Sequence, residues 1–147
     1  MLKSDEPIVV ELSVSNSAET IWAALTEPDQ MRQWFFEIMP DFKAEVGFET
    51  RFDISNEGRD FPHVWKVVEA VLNEKLVVNW TFGGYEGSSN VHFEIQPGED
   101  TTVVRLTTEV LEDFRQDVPE FKRGSAVGGW NYFINEQLKA FLDQKLA

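Results

Sequence analysis

The chain has 147 residues, of which 42% are hydrophobic and 13% aromatic, so it can bury a core and is not a disordered chain. Its 26 acidic and 13 basic residues give a formal net charge of −13, which argues against binding to nucleic acid or to an anionic membrane. It has no cysteine, which excludes disulfides and cysteine zinc sites. The acidic excess favours solubility, with docking to a basic partner surface as the alternative.

The amino-terminal residues 1–7 lack the apolar stretch of a secretory signal, and no apolar run is long enough to span a bilayer. The absence of cysteine permits a reducing compartment. We therefore expect a cytoplasmic protein without a membrane segment.

The first part of the chain predicts a strand followed by two short helices. Apolar and polar residues alternate over residues 8–14, which is typical of a half-buried strand. Asn16, with Glu19 three residues later, fits the cap of a first helix. Pro28 ends that helix and fits the first turn of a second one. The predicted buried residues of the two helices are Ile21, Trp22, Leu25, Met31 and Trp34.

From residue 42 onward the hydrophobic period changes to two, which predicts a run of strands. These strands cover residues 48–54, 64–71, 76–82, 91–95 and 104–110. Turn-forming residues separate them at positions 56–58, 73–74, 83–87 and 97–100. Short turns between successive strands imply antiparallel pairing.

The last quarter predicts a long amphipathic helix after an irregular connection at residues 111–124. Ser125 fits its cap, and its apolar side carries Trp130, Ile134, Leu138, Phe141 and Leu142. Gly128 and Gly129 need a reason, because a glycine inside a helix costs about 1 kcal/mol relative to alanine. Either they lie at the helix start, or the helix passes close to another backbone or leaves room for a ligand.

The order of elements predicts an α+β protein, with residues 1–147 forming a single domain. Three stretches also resemble a known superfamily: residues 17–28 followed by Trp34, the strand pair around residues 68–70 and 76–80, and Gly129-Trp130 followed by Leu138. In this order and spacing the chain resembles the START/Bet v 1-like superfamily. Within it, the chain is similar to the family related to the C-terminal domain of the activator of Hsp90 ATPase.

The resemblance implies a helix-grip fold: a curved antiparallel β-sheet wrapped around a long C-terminal α-helix, with two short helices after the first strand. It also implies a cavity between the sheet and that helix. The cavity wall is expected to contain Trp34, Phe48, Phe52, Trp80, Phe93, Trp130, Phe133 and Ile134, with Thr50 and Thr108 as polar members. The alternative is that these apolar residues fill the core and that the hydroxyls satisfy their neighbours.

The sequence shows no catalytic signature. His63 and His92 are the only histidines, neither has a metal-ligand spacing, and both are interpreted as surface residues. The glycine-rich residues 83–89 have no following lysine and predict a hairpin turn rather than a phosphate-binding loop. Glu112, Asp113 and Asp117 are interpreted as solvated loop residues. We therefore predict no catalytic residue, no metal and no cofactor.

Three functions remain, in order of preference. The first is a binding module for a small, largely apolar or aromatic molecule, gated by residues 111–124. The second is a protein that interacts with an Hsp90-type chaperone or is stress-related. The third is an enzyme similar to polyketide cyclases and aromatases.

Overall fold

Six strands form one curved antiparallel sheet in the computed structural model, which describes residues 1–146. The strands are β1 (Ile8–Val14), β2 (Glu49–Asn56), β3 (Arg59–Val71), β4 (Lys75–Phe82), β5 (Ser88–Pro97) and β6 (Thr102–Glu112). Their order in the sheet is β1-β6-β5-β4-β3-β2, so the first strand of the chain pairs with the last. The predicted antiparallel α+β fold is confirmed.

Turns between the strands fall where the sequence predicts them. Glu57 and Gly58 adopt φ angles of 50° and 76° between β2 and β3, and Asn73 adopts 62° between β3 and β4. These left-handed conformations suit Gly and Asn and allow tight hairpins. A bulge in β3 between Val67 and Glu69 adds to the twist of the sheet.

Two short helices follow β1: α1 (Ala18–Thr26) and α2 (Pro28–Trp34). Pro28 lies in the first turn of α2, as predicted. The predicted cap Asn16 is wrong, because the Ser17 side chain accepts the capping bond from the Thr20 amide. Asn16 is instead buried, and its Nδ2 donates to the carbonyl of Leu142 at 3.0 Å. This residue therefore connects the start of α1 to the C-terminal helix.

The C-terminal helix consists of α3 (Arg123–Asn131), a π-helical segment (Tyr132–Leu138) and α4 (Lys139–Lys145). It begins two residues before Ser125, so the predicted Ser125 cap is wrong. A 3₁₀ turn at Pro119–Phe121 leads directly into the helix, and the Ala126 amide donates to the Lys122 carbonyl at 3.1 Å. Ser125 consequently lies inside the first turn.

The π-helical segment fits the spacing of the buried residues on the C-terminal helix. Trp130, Ile134, Leu138 and Leu142 recur every four residues and are all buried. In a regular α-helix each step of four residues drifts by about 40° around the axis. The wider π turn reduces that drift and keeps the row facing the sheet. Among residues 1–146, no helix combines the length and apolarity that crossing a membrane requires.

Buried side chains form two clusters. The main core lies between the sheet and the C-terminal helix and includes Trp65, Leu106 and Leu138. The second cluster consists of Phe61, Phe114, Val118 and Phe121. Three of these four residues belong to the predicted irregular connection at residues 111–124. Strand β6 extends to Glu112, and the hydrophobic residues beyond it are packed rather than loose.

Candidate functional site

A cavity of about 480 Å³ lies between the main core and the second cluster. This volume falls in the range of small-molecule sites. Its aromatic lining residues are Phe35, Phe36, Phe61, Trp80, Phe82, Phe114, Phe121, Trp130 and Phe133. The exposed lining residues Ser55, Asn56 and Ser125 lie where the cavity meets solvent.

The structure brings four of the ten predicted wall residues to this cavity: Trp80, Thr108, Trp130 and Phe133. The other six lie outside its lining: Trp34, Phe48, Thr50, Phe52, Phe93 and Ile134. Most of these six are tightly packed. Ile134 is fully buried, and Trp34 is only 2% exposed. The cavity therefore includes fewer of the predicted wall residues than the pattern of apolar faces suggested, and residues of the second cluster complete its lining.

Several of these six side chains already bond to or pack against neighbouring groups. The indole Nε1 of Trp34 donates to the Ala24 carbonyl at 2.8 Å, which ties its ring to α1. The Thr50 hydroxyl donates to the Asp41 carbonyl at 3.3 Å. The Phe52 ring packs against Phe36, with ring centroids 5.4 Å apart. Phe36 lines the cavity, whereas Phe52 does not.

Phe35 and Phe36 are lining residues that the sequence analysis missed. They follow α2 directly, outside any periodic element, so no helical or strand pattern marked them. Phe35 is nevertheless buried, and its ring lies 4.7 Å from Phe133 and 5.4 Å from Trp65. The connection after α2 thus forms part of the wall that was predicted to come from the strands.

His63 was predicted to be a surface residue, and that prediction is wrong. It is 7% exposed and lines the cavity. Strand β3 begins at Arg59, so Phe61, His63 and Trp65 share its buried face. Pro62 does not interrupt the strand, and its carbonyl accepts a bond from the Gly83 amide at 2.9 Å. The alternation of residues 61, 63 and 65 was the signal that could have identified His63.

Burial keeps His63 neutral. Desolvation lowers the pKa of His63 from 6.5 to about 4, against the opposing effects of the Phe61 carbonyl and the Asp53 carboxylate. Its Nδ1 lies 2.8 Å from the carbonyl oxygen of Phe61. A carbonyl oxygen only accepts, so Nδ1 of the neutral ring carries the proton. Nε2 is then left with an acceptor lone pair.

Three polar atoms of the lining are fully buried without a hydrogen-bond partner among residues 1–146: Trp80 Nε1, Thr108 Oγ1 and Glu120 Oε1. Buried polar atoms are normally paired, and an unpaired one costs about 1–3 kcal/mol. Trp65 Nε1 is also unpaired, but Trp65 lies outside the lining. The cavity thus combines an aromatic wall with polar atoms that have unused bonding capacity.

Glu120 is held in place from one side only. Its Oε2 accepts from Asn56 Nδ2 and from Arg59 Nη2, both at 2.8 Å. Arg59 is not a lining residue, and neither lysine nor arginine appears in the lining. The cavity is therefore bordered by a carboxylate that is paired with an arginine outside the lining.

Gly128 and Gly129 do not lie at a helix start, because they are the sixth and seventh residues of α3. A Cβ atom at either position would meet nothing within 4 Å, so no close backbone approach requires them. Gly129 lines the cavity, whereas Gly128 is exposed and does not. Gly129 thus leaves space beside the cavity that a side chain would fill.

The described residues 1–146 contain no group of three or more His, Asp or Glu side chains arranged to hold a metal ion. His92 lies on the opposite face of the sheet, where its Nε2 is 4.0 Å from a carboxylate oxygen of Glu109. Asp117 is exposed and pairs with Arg115 at 2.5 Å.

Several solved structures share this fold. Protein MLL2253 from Mesorhizobium loti is 28% identical, with a TM-score of 0.72, over 95% of this chain and 98% of that protein. DynU16, from the dynemicin biosynthetic locus, is 21% identical with a TM-score of 0.75 over 95% of this chain. The chain spans 48% of DynU16, about half its length. The Aha1 dimer from Colwellia psychrerythraea is 20% identical, with a TM-score of 0.67, over 89% of this chain and 92% of that one.

No curated protein matches the chain. The family model described as "Activator of Hsp90 ATPase homolog 1-like protein" matches residues 15–143, which is most of the sequence. Together with the shared fold, this match confirms the START/Bet v 1-like resemblance of the sequence. The chain belongs to the Activator of Hsp90 ATPase homolog 1-like family.

Proposed function

We propose that the chain is a binding module that holds a small, largely apolar molecule with an aromatic ring system in the cavity beneath the C-terminal helix. One observation carries the proposal: an aromatic-walled cavity of about 480 Å³ contains buried polar atoms that have no hydrogen-bond partner among residues 1–146. Binding sites for small molecules combine a mostly apolar wall with a few polar groups that fix orientation.

The aromatic wall suits a planar ligand. Trp80 and Trp130 meet edge to face, with ring centroids 5.5 Å apart and planes at 90°. Phe133 meets Phe35 at 67°. Such an arrangement presents both ring faces and ring edges to the cavity, and a planar aromatic molecule can stack on the former and pack edge-on against the latter.

The C-terminal helix supports the same proposal. Gly129 weakens the α-helix, although an alanine Cβ at this position would meet no atom within 4 Å. Packing within the protein does not require that glycine. The absence of a side chain at Gly129 leaves room for a bound molecule.

Native mass spectrometry of the protein purified from its own host tests the proposal first. A retained small molecule, released on denaturation, is the expected result. Backbone amide NMR titration with a panel of planar aromatics and lipids then locates the site, with saturable shifts expected around Gly129 and Trp130. An empty protein that gives no saturable shift with any member of the panel would overturn the proposal.

A further inference from the structure

We infer that His63 selects ligands that carry a neutral hydrogen-bond donor, such as a phenolic hydroxyl, by presenting an acceptor nitrogen to the cavity. Trp80 supplies the complementary donor for a carbonyl or ether oxygen on the same ligand. The inference rests on the proposed function and adds the chemical class of the ligand.

The backbone of β3 fixes which nitrogen of His63 is free. The Phe61 carbonyl, 2.8 Å from Nδ1, requires a proton on that atom. Nε2 has no hydrogen-bond partner among the described residues. In the neutral ring it can only accept, so a ligand must bring the proton for this bond.

The surroundings of His63 make an unused Nε2 unfavourable once a ligand excludes water. Its ring centroid lies 4.9 Å from that of Phe52 and 4.7 Å from that of Phe82. These apolar rings offer no hydrogen bond. An apolar ligand without a donor would leave Nε2 unpaired in a dry site, whereas a hydroxyl would satisfy it.

Trp80 lies beside His63 on the same face of the sheet. In the β3–β4 pairing His63 is opposite Phe82, and Trp80 is two residues away on that strand. The two ring centroids are 5.4 Å apart. The Trp80 Nε1 is buried and unpaired, and it can only donate. One donor site and one acceptor site therefore lie next to each other.

Thr108 extends the polar pattern across the sheet. It lies on β6, two strands from Trp80 on β4. Two strand spacings amount to about 10 Å. Its unpaired hydroxyl can donate or accept. A planar polycyclic molecule with a hydroxyl at one end and a second oxygen further along can therefore use all three positions.

Two closely matched probes test the inference: 2-naphthol, which has a hydroxyl donor, and 2-methoxynaphthalene, which has none. Isothermal titration with the wild-type protein should give an affinity for 2-naphthol at least about fivefold higher, which corresponds to one net hydrogen bond. A site without an acceptor would give the reverse order, because the hydroxyl loses its bonds to water.

Two variants assign the preference to His63. His63→Phe keeps a ring of similar shape without an acceptor, and it should reduce the affinity ratio of the probes to about one or below. His63→Gln keeps an acceptor oxygen and should preserve the preference for 2-naphthol.

A measurement on the wild-type protein keeps the test valid if His63→Phe does not fold. The imidazole ¹⁵N spectrum should show an unprotonated Nε2 whose resonance moves on addition of 2-naphthol and stays in place with 2-methoxynaphthalene. Equal affinities for the probes, or an Nε2 resonance that does not respond to 2-naphthol, would overturn the inference while leaving aromatic binding intact. Failure of both probes to bind would overturn the inference and count against the proposed function as well.

Discussion

The indole of Trp130 stacks on the ring of Phe35, with centroids 5.9 Å apart and planes within 6° of parallel. Trp130 belongs to the C-terminal helix, and Phe35 follows α2. Both residues line the cavity. The contact therefore joins the two helical parts of the molecule directly over the candidate site, so that the stability of the fold and the shape of the cavity depend on the same pair.

Replacement of Trp130 by alanine should lower the free energy of unfolding by about 3–5 kcal/mol, because a large buried ring is lost from the core. Ligand binding should weaken in parallel. Urea denaturation measures the first effect, with Tyr132→Ala as the control, since Tyr132 on the same helix is 46% exposed. Unchanged stability in Trp130→Ala would mean that its ring does not hold the helix on the sheet.

The adjacent glycines provide a matched pair of variants. Gly128→Ala and Gly129→Ala should each raise the stability by up to about 1 kcal/mol, because both sites are helical and open. Gly129→Leu should abolish binding of the aromatic probes, whereas Gly128→Leu should leave it unchanged, since only Gly129 lines the cavity. Thermal unfolding and probe titration check the two effects. Equal binding by the two leucine variants would disprove this assignment.

His63 makes the stability depend on pH in a defined window. Its folded-state pKa of about 4 lies below the ordinary 6.5, so between these values the unfolded chain takes up a proton that the folded chain does not. The stabilisation is complete above pH 6.5 and is lost as the pH falls towards 4, by about 3 kcal/mol in total. Urea midpoints at pH 7 and pH 4.5 measure the loss.

The variant His63→Gln is the control for this pH effect, because the carboxylates of the protein also titrate at the acid end of the window. It should lose distinctly less stability than the wild type between pH 7 and pH 4.5. If the two proteins lose the same amount, His63 is not buried in its neutral form.

Gly87 supports the second cluster through its backbone. Its φ angle is 118°, and a Cβ atom there would lie 2.3 Å from Cδ1 of Phe114. Gly87→Ala should therefore displace that ring and destabilise the protein by more than 1 kcal/mol, on the order of an overpacked core. Gly84→Ala is the control, because Gly84 also has a positive φ of 80° but no atom within 4 Å. Similar melting temperatures for the two variants would rule out a specific clash at Phe114.

The predicted gate at residues 111–124 can be examined by NMR relaxation. Phe114 and Phe121 from this segment line the cavity. If the segment is a gate, its opening moves these two side chains aside and lets a ligand enter. Relaxation dispersion should detect exchange at amides of residues 113–122 in the free protein and its suppression at saturating probe. Uniformly rigid amides in both states would exclude a gating role.

The fold was predictable because its elements carry strong periodic signals. Strands β2, β5 and β6 alternate cleanly, turn residues mark the strand ends, and the C-terminal helix has a continuous apolar side. The errors were local. Asn16 and Ser17 are both residue types that cap helices well. Asn16 instead bonds to the distant carbonyl of Leu142, which leaves Ser17 as the cap of α1.

The site was less predictable, since a cavity depends on what does not fill the space between elements. Alternation identified Trp80 and Thr108 but could not distinguish them from Phe52 and Phe93, which have the same pattern. For Phe52 the difference comes from Phe36, which packs against it and has no periodic signal after α2. For Phe93 it comes from Trp130 on the C-terminal helix, whose ring centroid lies 6.0 Å away. His63 was missed because Pro62 suggested a strand start where β3 in fact continues.

The five tryptophans of the chain allow the central claim to be tested in one titration of the indole N–H signals with a planar aromatic probe. The unpaired indole of Trp80 and that of Trp130 should shift saturably, because both rings line the cavity. Trp34 should move least, since its Nε1 is bonded to the Ala24 carbonyl outside the lining. Shifts that are absent, or equal for Trp34 and Trp80, would contradict a ligand-binding cavity at this place.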